Sequence, residues 1–216
     1  MKQQLLRYGT GPVSDALGKK GAMDHGMRPW SAQARMAGPA FTVRIHTADI
    51  LMVSKALSEC LAGAVLVIDG RGEKNTALWG GLTTMLALKK GLAGVVIDGA
   101  IRDLADIRPS KLPVFARAIV PNAGGAEYVG DLQVPVVCGG QVVHPGDWLV
   151  GDDDGVVVIP LAQLDAVVAQ AGKIVEAEKR IAKAIRAGED LAALMRVDEL
   201  LEAKRKQIFV PQLRVK

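Results

Sequence analysis

The sequence predicts an α/β fold followed by a helical C-terminal extension. Two apolar, β-branched runs, residues 64–70 and 94–99, each close on Asp-Gly, and a stretch with helical spacing lies between them. Four short β-rich runs follow. From Leu161 the pattern changes to Ala, Val, Ile and charged residues over a length no ordinary strand reaches.

The first run reads as a buried strand ending at a turn. Leu82, Met85 and Leu86 then recur at helical spacing, Lys89 and Lys90 suit a helix C-terminus, and Gly91 is a stop signal. The second run is the next strand, so residues 64–99 form a strand, helix, strand unit with a right-handed crossover. Residues 134–138, 141–143, 148–150 and 156–159 read as short strands jointed by Gly, Pro and Asp. A helix is expected from Leu161 through Arg186 with Gly188 as its stop, and a second from Asp190 to about Lys206.

At 216 residues the chain has room for one good core, or at most two small domains. The expected division is one domain over residues 1–160 and helices over 161–216, packing on it or on a neighbouring subunit. The apolar positions Leu164, Val167, Val168, Ala171, Ile174 and Val175 exceed what one sandwich edge needs to cover, which favours a homotrimer or hexamer. Half the residues are hydrophobic, yet the longest apolar runs are strand-sized, so no membrane span is expected. No secretory stretch follows Met1, which makes a cytoplasmic location the expectation.

The net charge of +4 comes from dispersed Lys and Arg interleaved with acids, and aromatics are only 4% of residues. That leaves no base-stacking platform, so nucleic acid is not an expected partner. Cys60 and Cys138 are far apart and in no CxxC spacing, which points to two buried thiols.

The chemistry concentrates at the end of the second strand. Loops beyond the carboxyl ends of parallel strands form the usual ligand crevice, and Arg102-Asp103 fall there. Twenty residues separate them from Gly81, and Asp106 follows one helical turn later. Gly80-Gly81 mark the start of the intervening helix, whose amides at Leu82 and Thr83 are free to meet an anion. Guanidinium suits a substrate carboxylate or developing oxyanion, and grouped carboxylates suit a hard cation such as Mg²⁺. The simpler alternative is a solvated Arg-Asp pair with Asp106 as a helix cap.

Other signals carry less. Asp152-Asp153-Asp154-Gly155 lacks the glutamate of a calcium loop and reads as a hairpin turn. Gly70-Arg71-Gly72 has Asn75 where a dinucleotide fingerprint needs its third glycine. His25, His46 and His144 are isolated, and no G-x-S-x-G elbow occurs.

Several stretches together resemble the RraA-like family, which includes the class II 4-hydroxy-4-methyl-2-oxoglutarate aldolases. They are residues 14–17, 38–43, 94–103, 134–136, 145–147 and 152–160, within a span of about 10 to 190. The resemblance implies an α/β/β/α sandwich of the swivelling β/β/α type, assembled as trimers or dimers of trimers with sites between subunits, and a Mg²⁺ or Mn²⁺ ion. By this resemblance Asp103 is the metal carboxylate and Arg102 holds the pyruvyl group. The Gly80-Gly81 turn with the Leu82 and Thr83 amides cradles the substrate carboxylate, and Glu178 is the acid a neighbouring subunit contributes.

Aldolase members carry an acid where this chain has Gly81. A second family pattern, glycine, twenty residues, Arg-Asp, two residues, then an acid, is met by Gly81, Arg102, Asp103 and Asp106, so Asp106 is the expected substitute. The implied activity is a metal-dependent lyase releasing pyruvate from a 2-oxo acid, as aldolase, oxaloacetate decarboxylase or both. The alternative is a non-catalytic binding protein of the kind that regulates ribonuclease E.

Overall fold

A computed structural model describes residues 1–208; residues 209–216 of the expected helical extension lie outside the described residues. In chain order the elements are α1 (Lys2–Tyr8), α2 (Thr10–Ala16), β1 (Arg28–Pro29), β2 (Met36–Arg44), α3 (Leu51–Glu59), β3 (Val65–Trp79), α4 (Gly81–Lys90), β4 (Gly94–Ile101), α5 (Leu104–Ile107) and β5 (Val114–Ile119). There follow β6 (Asp131–Leu132), β7 (Val136–Cys138), β8 (Gln141–Val143), β9 (Trp148–Asp152), β10 (Gly155–Ile159), α6 (Leu164–Arg186), α7 (Leu191–Leu194) and α8 (Val197–Ile208). The chain divides into two compact units, Met1–Gly172 and Lys173–Lys216, so α6 begins in the first and ends in the second.

The first unit is a mixed sheet in the order β1-β5-β4-β3-β2-β9-β10, with β2 to β5 parallel to one another. β2 joins two layers. Its residues from Met36 to Pro39 pair antiparallel with β9, and those from Ala40 to Arg44 pair parallel with β3. At the corner Gly38 is obligatory, because a Cβ there would lie 2.4 Å from the Gly63 carbonyl oxygen.

Alternation along the strands then assigns the layers. Val43, Leu66, Ile68, Val95 and Ile97 face α3 and α4, burying Val53, Leu57 and Ala87. Val65, Val67 and Val96 face the opposite way, onto Val136, Val143, Leu149, Val156 and Val158 of β7 to β10. Val150, Val157 and Ile159, on the outer side of β9 and β10, are covered by Leu5, Val13 and the first turns of α6. The resulting α/β/β/α sandwich agrees with the expected architecture.

A partly buried ion-pair network ties these layers. The Arg117 guanidinium bonds Asp98 through Nε and Asp24 through both terminal nitrogens, while Gly139 N–H donates to Asp98 Oδ2 at 3.0 Å. Arg117 thereby holds the Asp24 carboxyl below its ordinary range despite some opposing desolvation.

Several elements differ from the sequence reading. β3 does not stop at Asp69-Gly70 but continues to Trp79, and β4 runs two residues past Gly99. Register shifts interrupt the β3–β4 ladder after Ile68, so the segment from Arg71 to Thr76, polar enough to read as a loop, is carried as irregular strand. The four β-rich runs and the Asp153-Asp154 turn occur as expected. The helix expected from Asp190 is broken at Arg196, a left-handed residue with φ 54°, into α7 and α8.

The apolar stripe of α6 is also used differently. Leu164, Val167, Val168 and Ala171 are buried inside the first unit itself, so most of the stripe needs no second chain. Conversely, Leu82, Met85 and Leu86 of α4 are 78%, 63% and 41% exposed, and the helix is buried through Thr84 and Ala87. The apolar spacing identified the helix but not its inward face.

Asp49, just ahead of α3, anchors a loop that the sequence reading passed over. Its Oδ1 accepts from Leu51 N–H at 2.8 Å, and its Oδ2 from Glu127 and Tyr128 N–H at 2.6 and 3.0 Å. Burial raises the cost of this charge, but the three N–H groups outweigh it and hold the carboxyl below its ordinary value of 3.8. Because the folded value is depressed, the anchor's contribution is fully present above pH 3.8 and is lost as pH falls through the folded value. Asp49→Asn, which keeps one acceptor and removes the other, is expected to cost about 1–3 kcal/mol. Hydrogen exchange would report it as faster exchange at Glu127 and Tyr128 than at the β3 and β4 amides; unchanged protection there would refute the anchor.

Candidate functional site

β3 and β4 stay paired to their ends, with Trp79 opposite Ile101, and Arg102 N–H donates to the Trp79 carbonyl at 2.9 Å. The residues that follow each strand are therefore neighbours: Gly80-Gly81 opens α4 on one side, and Arg102-Asp103 leads into α5 on the other. This contact across twenty residues of chain is the reason for the spacing noted in the sequence.

Asp103 has φ 58° and ψ 44°, a left-handed conformation that Asp tolerates better than most non-glycine residues. The turn aims its carboxylate back across the strand ends, where Oδ2 accepts Gly81 N–H at 2.9 Å and lies 3.7 Å from Arg102 Nε. The Asp103 carbonyl accepts from Asp106 and Ile107, which starts α5 and fixes Asp106 one turn on. Arg102 and Asp103 are 44% and 41% exposed, so both charges remain solvated and reachable.

The two glycines create the room for the acids. A Cβ on Gly80 would stand 2.6 Å from Asp103 Oδ2, and one on Gly81 would stand 2.5 Å from Asp106 Oδ2. The volume that a side chain at position 81 would occupy is thus filled by the Asp106 carboxylate. Gly81 does not have a left-handed φ, so a side chain here would meet the Asp106 carboxylate rather than a backbone restriction.

At the start of α4, Gly81 N–H goes to Asp103 and Thr84 N–H to the Gly80 carbonyl. Leu82 and Thr83 supply the amides that a first turn leaves without intrahelical partners. A cavity of ≈170 Å³ opens beside them, lined in part by Gly80, Leu82, Thr83, Arg102 and Asp103. Gly81 and Asp106 line an adjoining recess that shares Asp103.

The sequence reading did not include the rest of the lining, among it Ile50, Val53, Ser54, Ala77 and Ala123. Ala123 belongs to the Asp49-anchored loop. Its backbone is tied to β3 through Ala77 N–H to Asn122 O at 2.7 Å, and to the turn before α3 through Ile50 N–H to Gly125 O at 2.7 Å. The available signal was Asn122-Ala123-Gly124-Gly125, for Gly124 approaches so closely that a Cβ would lie 2.7 Å from the Ala48 carbonyl oxygen.

Glu178 lies on α6 beyond Gly172, in the second compact unit, and is exposed. It is not among the residues lining either recess. The three histidines stand apart from the site: His46 stacks on Tyr128 at 5.1 Å, His144 lies 3.5 Å from Asp147, and His25 is exposed. Among the described residues no three His, Cys, Asp or Glu side chains converge to hold a metal. The carboxylates at the strand ends are Asp103 and, against Gly81, Asp106, oxygen donors only and both exposed. That set fits a hard cation such as Mg²⁺, which commonly takes one or two carboxylates and keeps several waters.

Three comparisons bear on this geometry. A 4-hydroxy-4-methyl-2-oxoglutarate aldolase of Thermus thermophilus is 37% identical over 151 residues, covering 70% of this chain and 92% of its own. The structure of the RNA-processing inhibitor RraA, also from Thermus thermophilus, superposes with a TM-score of 0.64 at 36% identity, covering 68% of this chain and 90% of that one. An uncharacterized protein of Pseudomonas syringae pv. tomato superposes with a TM-score of 0.77 at 29% identity, over 89% of this chain and 97% of that one. The RraA-like family model, Aldolase/RraA, matches residues 10–158, the whole of the strand and glycine framework just described, and the chain belongs to that family.

Proposed function

We propose that the protein is a divalent-metal-dependent lyase that releases pyruvate from a 2-oxo acid. The substrate is of the 4-hydroxy-4-methyl-2-oxoglutarate type, oxaloacetate, or both. The observation that carries this reading is the convergence of Arg102, Asp103 and Asp106 on the glycine start of α4. The aldolase name of the Thermus relative supports the class of reaction.

In this reading Asp103 would hold Mg²⁺ or Mn²⁺, with Asp106 beside it. When bound, the ion supplies Lewis-acid polarisation of the keto and carboxylate oxygens of the pyruvyl group. The substrate carboxylate lies against the Leu82 and Thr83 amides, and the Arg102 guanidinium faces the C2 oxygen as charge develops on it. In the aldolase direction the C4 hydroxyl gives up its proton, the C3–C4 bond breaks, and its electron pair forms the pyruvate enolate. Decarboxylation reaches the same enolate by loss of CO₂. A water positioned by Asp106 carries the proton away and later returns one to C3.

A homotrimer or hexamer is part of the proposal. Its support moves from α6 to α4, whose exposed Leu82 and Met85 sit beside the recess and are apolar enough to favour cover. In such an assembly Glu178 of a neighbouring copy is available as a further acid. A second reading, a non-catalytic binding protein, is favoured by the likeness to the RraA inhibitor. Pyruvate release from a panel of 4-hydroxy-2-oxo acids and oxaloacetate separates the two. Turnover that needs Mg²⁺ and stops with chelator is expected, and its absence across the panel would favour the binding protein.

Asp103→Asn should keep the left-handed turn and an acceptor for Gly81 N–H while losing the charge. Calorimetry is expected to show Mg²⁺ binding lost in this variant. Arg102→Ala should retain the metal yet lower kcat by about 10²–10³-fold, the usual effect of removing an oxyanion donor. Unchanged Mg²⁺ affinity in the Asp103 variant would overturn the assignment of the carboxylate.

The packing of Asp106 against Gly81 makes a second, sharper expectation. The sequence suggests that an acid at position 81 would restore what the aldolases have, but that space is already taken. Gly81→Asp alone should therefore displace Asp106 and leave the rate no higher. Asp106→Ala should lower it by about 10²–10⁴-fold, the range of general acid-base assistance. Combining the two should recover activity relative to Asp106→Ala. Steady-state rates showing Gly81→Asp additive with intact Asp106 would mean that the two acids do different work.

A further inference from the structure

Resting on the reading of Asp103 as the metal carboxylate, we propose that Thr84 is a positioning residue for it. Together with Trp79, Thr84 fixes the peptide between Gly80 and Gly81, and that peptide sets where the Asp103 carboxylate stands.

The bonds run in one direction. The Trp79 indole Nε1–H donates to Thr84 Oγ1 at 2.7 Å, and Thr84 Oγ1 in turn donates to the Gly80 carbonyl at 2.9 Å. That carbonyl and the Gly81 N–H belong to one planar trans peptide, in which the two groups point opposite ways. Gly81 N–H donates to Asp103 Oδ2 at 2.9 Å. A buried indole is thus connected to the carboxylate through one hydroxyl and one peptide. Each donor in such a chain polarises the next, so its members act together.

The restraint on Gly80 is more complete than helix formation requires. Its carbonyl also accepts from Thr84 N–H at 3.0 Å and from Thr83 Oγ1 at 2.9 Å, and its N–H donates to Thr83 Oγ1 at 3.0 Å. A side chain on Gly80 itself is excluded, since a Cβ would stand 2.6 Å from Asp103 Oδ2. Glycine is the residue with the most backbone freedom to lose, and the two threonine hydroxyls supply the constraint that its own side chain cannot. Threonine in a helix often bonds a carbonyl one turn back, but here the carbonyl is the one whose peptide holds Asp103. The Trp79 carbonyl meanwhile takes Arg102 N–H, so one residue steadies both segments of the site. Trp79 and Thr84 are 2% and 1% exposed, which places the relay within one chain and makes it independent of a second copy covering the strand ends.

Thr84→Val keeps the shape of the side chain and removes the hydroxyl. In the NMR spectrum of the metal-free protein the Gly81 amide proton is expected to move upfield, as a weakened bond to the carboxylate requires. Mg²⁺ affinity by calorimetry is expected to fall about tenfold, the lower end of what losing a group behind a metal ligand costs. Thr84→Ser, which restores the hydroxyl, should return both readings to those of the unsubstituted protein. Thr84→Val leaves the Trp79 N–H buried without an acceptor, so if it does not fold the measurement is repeated on Trp79→Phe combined with Thr84→Val, which leaves no orphan donor. Thr42→Val is the control. It removes an equally buried hydroxyl, one that donates to the Val134 carbonyl at 2.6 Å, and should lower Tm without moving either reading. An unmoved Gly81 signal or unchanged Mg²⁺ affinity in the folded variant, or an equal loss in Thr42→Val, would overturn the proposal while leaving the lyase reading in place. No Mg²⁺ binding by the unsubstituted protein would instead sink that reading, and the role of Thr84 with it.

Discussion

The candidate site depends on one constraint, the parallel pairing of β3 and β4 through their last residues. Trp79 lies opposite Ile101, and the Trp79 carbonyl takes the first N–H beyond β4. Both strands are fully buried at these ends. The turns that leave them are thus held by paired, fully buried strand ends. Left-handed backbone costs an L-residue about 1–2 kcal/mol, and at Asp103 it is offset by the bonds the turn makes: Gly81 N–H to the side chain, and Asp106 and Ile107 N–H to the carbonyl. Strain is placed where it aims a carboxylate at the opening of α4.

The same contact explains why an acid can change its place in the chain without leaving the site. Position 81 on α4 and position 106 on α5 point into one volume, since the Asp106 oxygen occupies the space of a Cβ at 81. A carboxylate can reach that volume from either helix, but not from both without rearrangement. Glycine at 81 is therefore not simply a missing acid. It is the condition under which Asp106 can stand there, and the two residues are best regarded as a single device distributed over two elements.

The sequence made legible what local pattern and short-range chemistry decide. The strands at residues 65–68 and 94–97 were readable because they are buried on both faces and so lack polar interruptions. The grouping of the glycine start with Arg102-Asp103 and Asp106 was readable because both segments leave neighbouring parallel strands at the same end. The extension of β3 was not, because Arg71, Glu73, Lys74 and Asn75 carry the composition of a loop while irregular pairing keeps them in the strand. The inward face of α4 was not, because Thr84 is buried through its bond to Trp79, whereas leucines at helical spacing are left outside. This part of the cavity lining was invisible for a different reason. Ile50, Val53 and Ala123 come from segments far apart in sequence, brought together by an Asp49 carboxylate whose partners are backbone amides and so leave no mark in the residue pattern.

That part of the lining also ties the cavity to the core. Val53 and Leu78 belong both to the cavity and to the core cluster beneath the helices, and each is nearly inaccessible to solvent. Truncating such residues generally costs about 2–5 kcal/mol for leucine and less for valine, a large share of a domain's net stability. Introducing a charge there would cost more still. The hydrocarbon character of Val53 and Leu78 is in this sense fixed by folding. Ser54 and Ala123 are exposed and outside the core, so they are the positions at which the cavity can change its chemistry while β3, β4 and the carboxylates between them remain as they are.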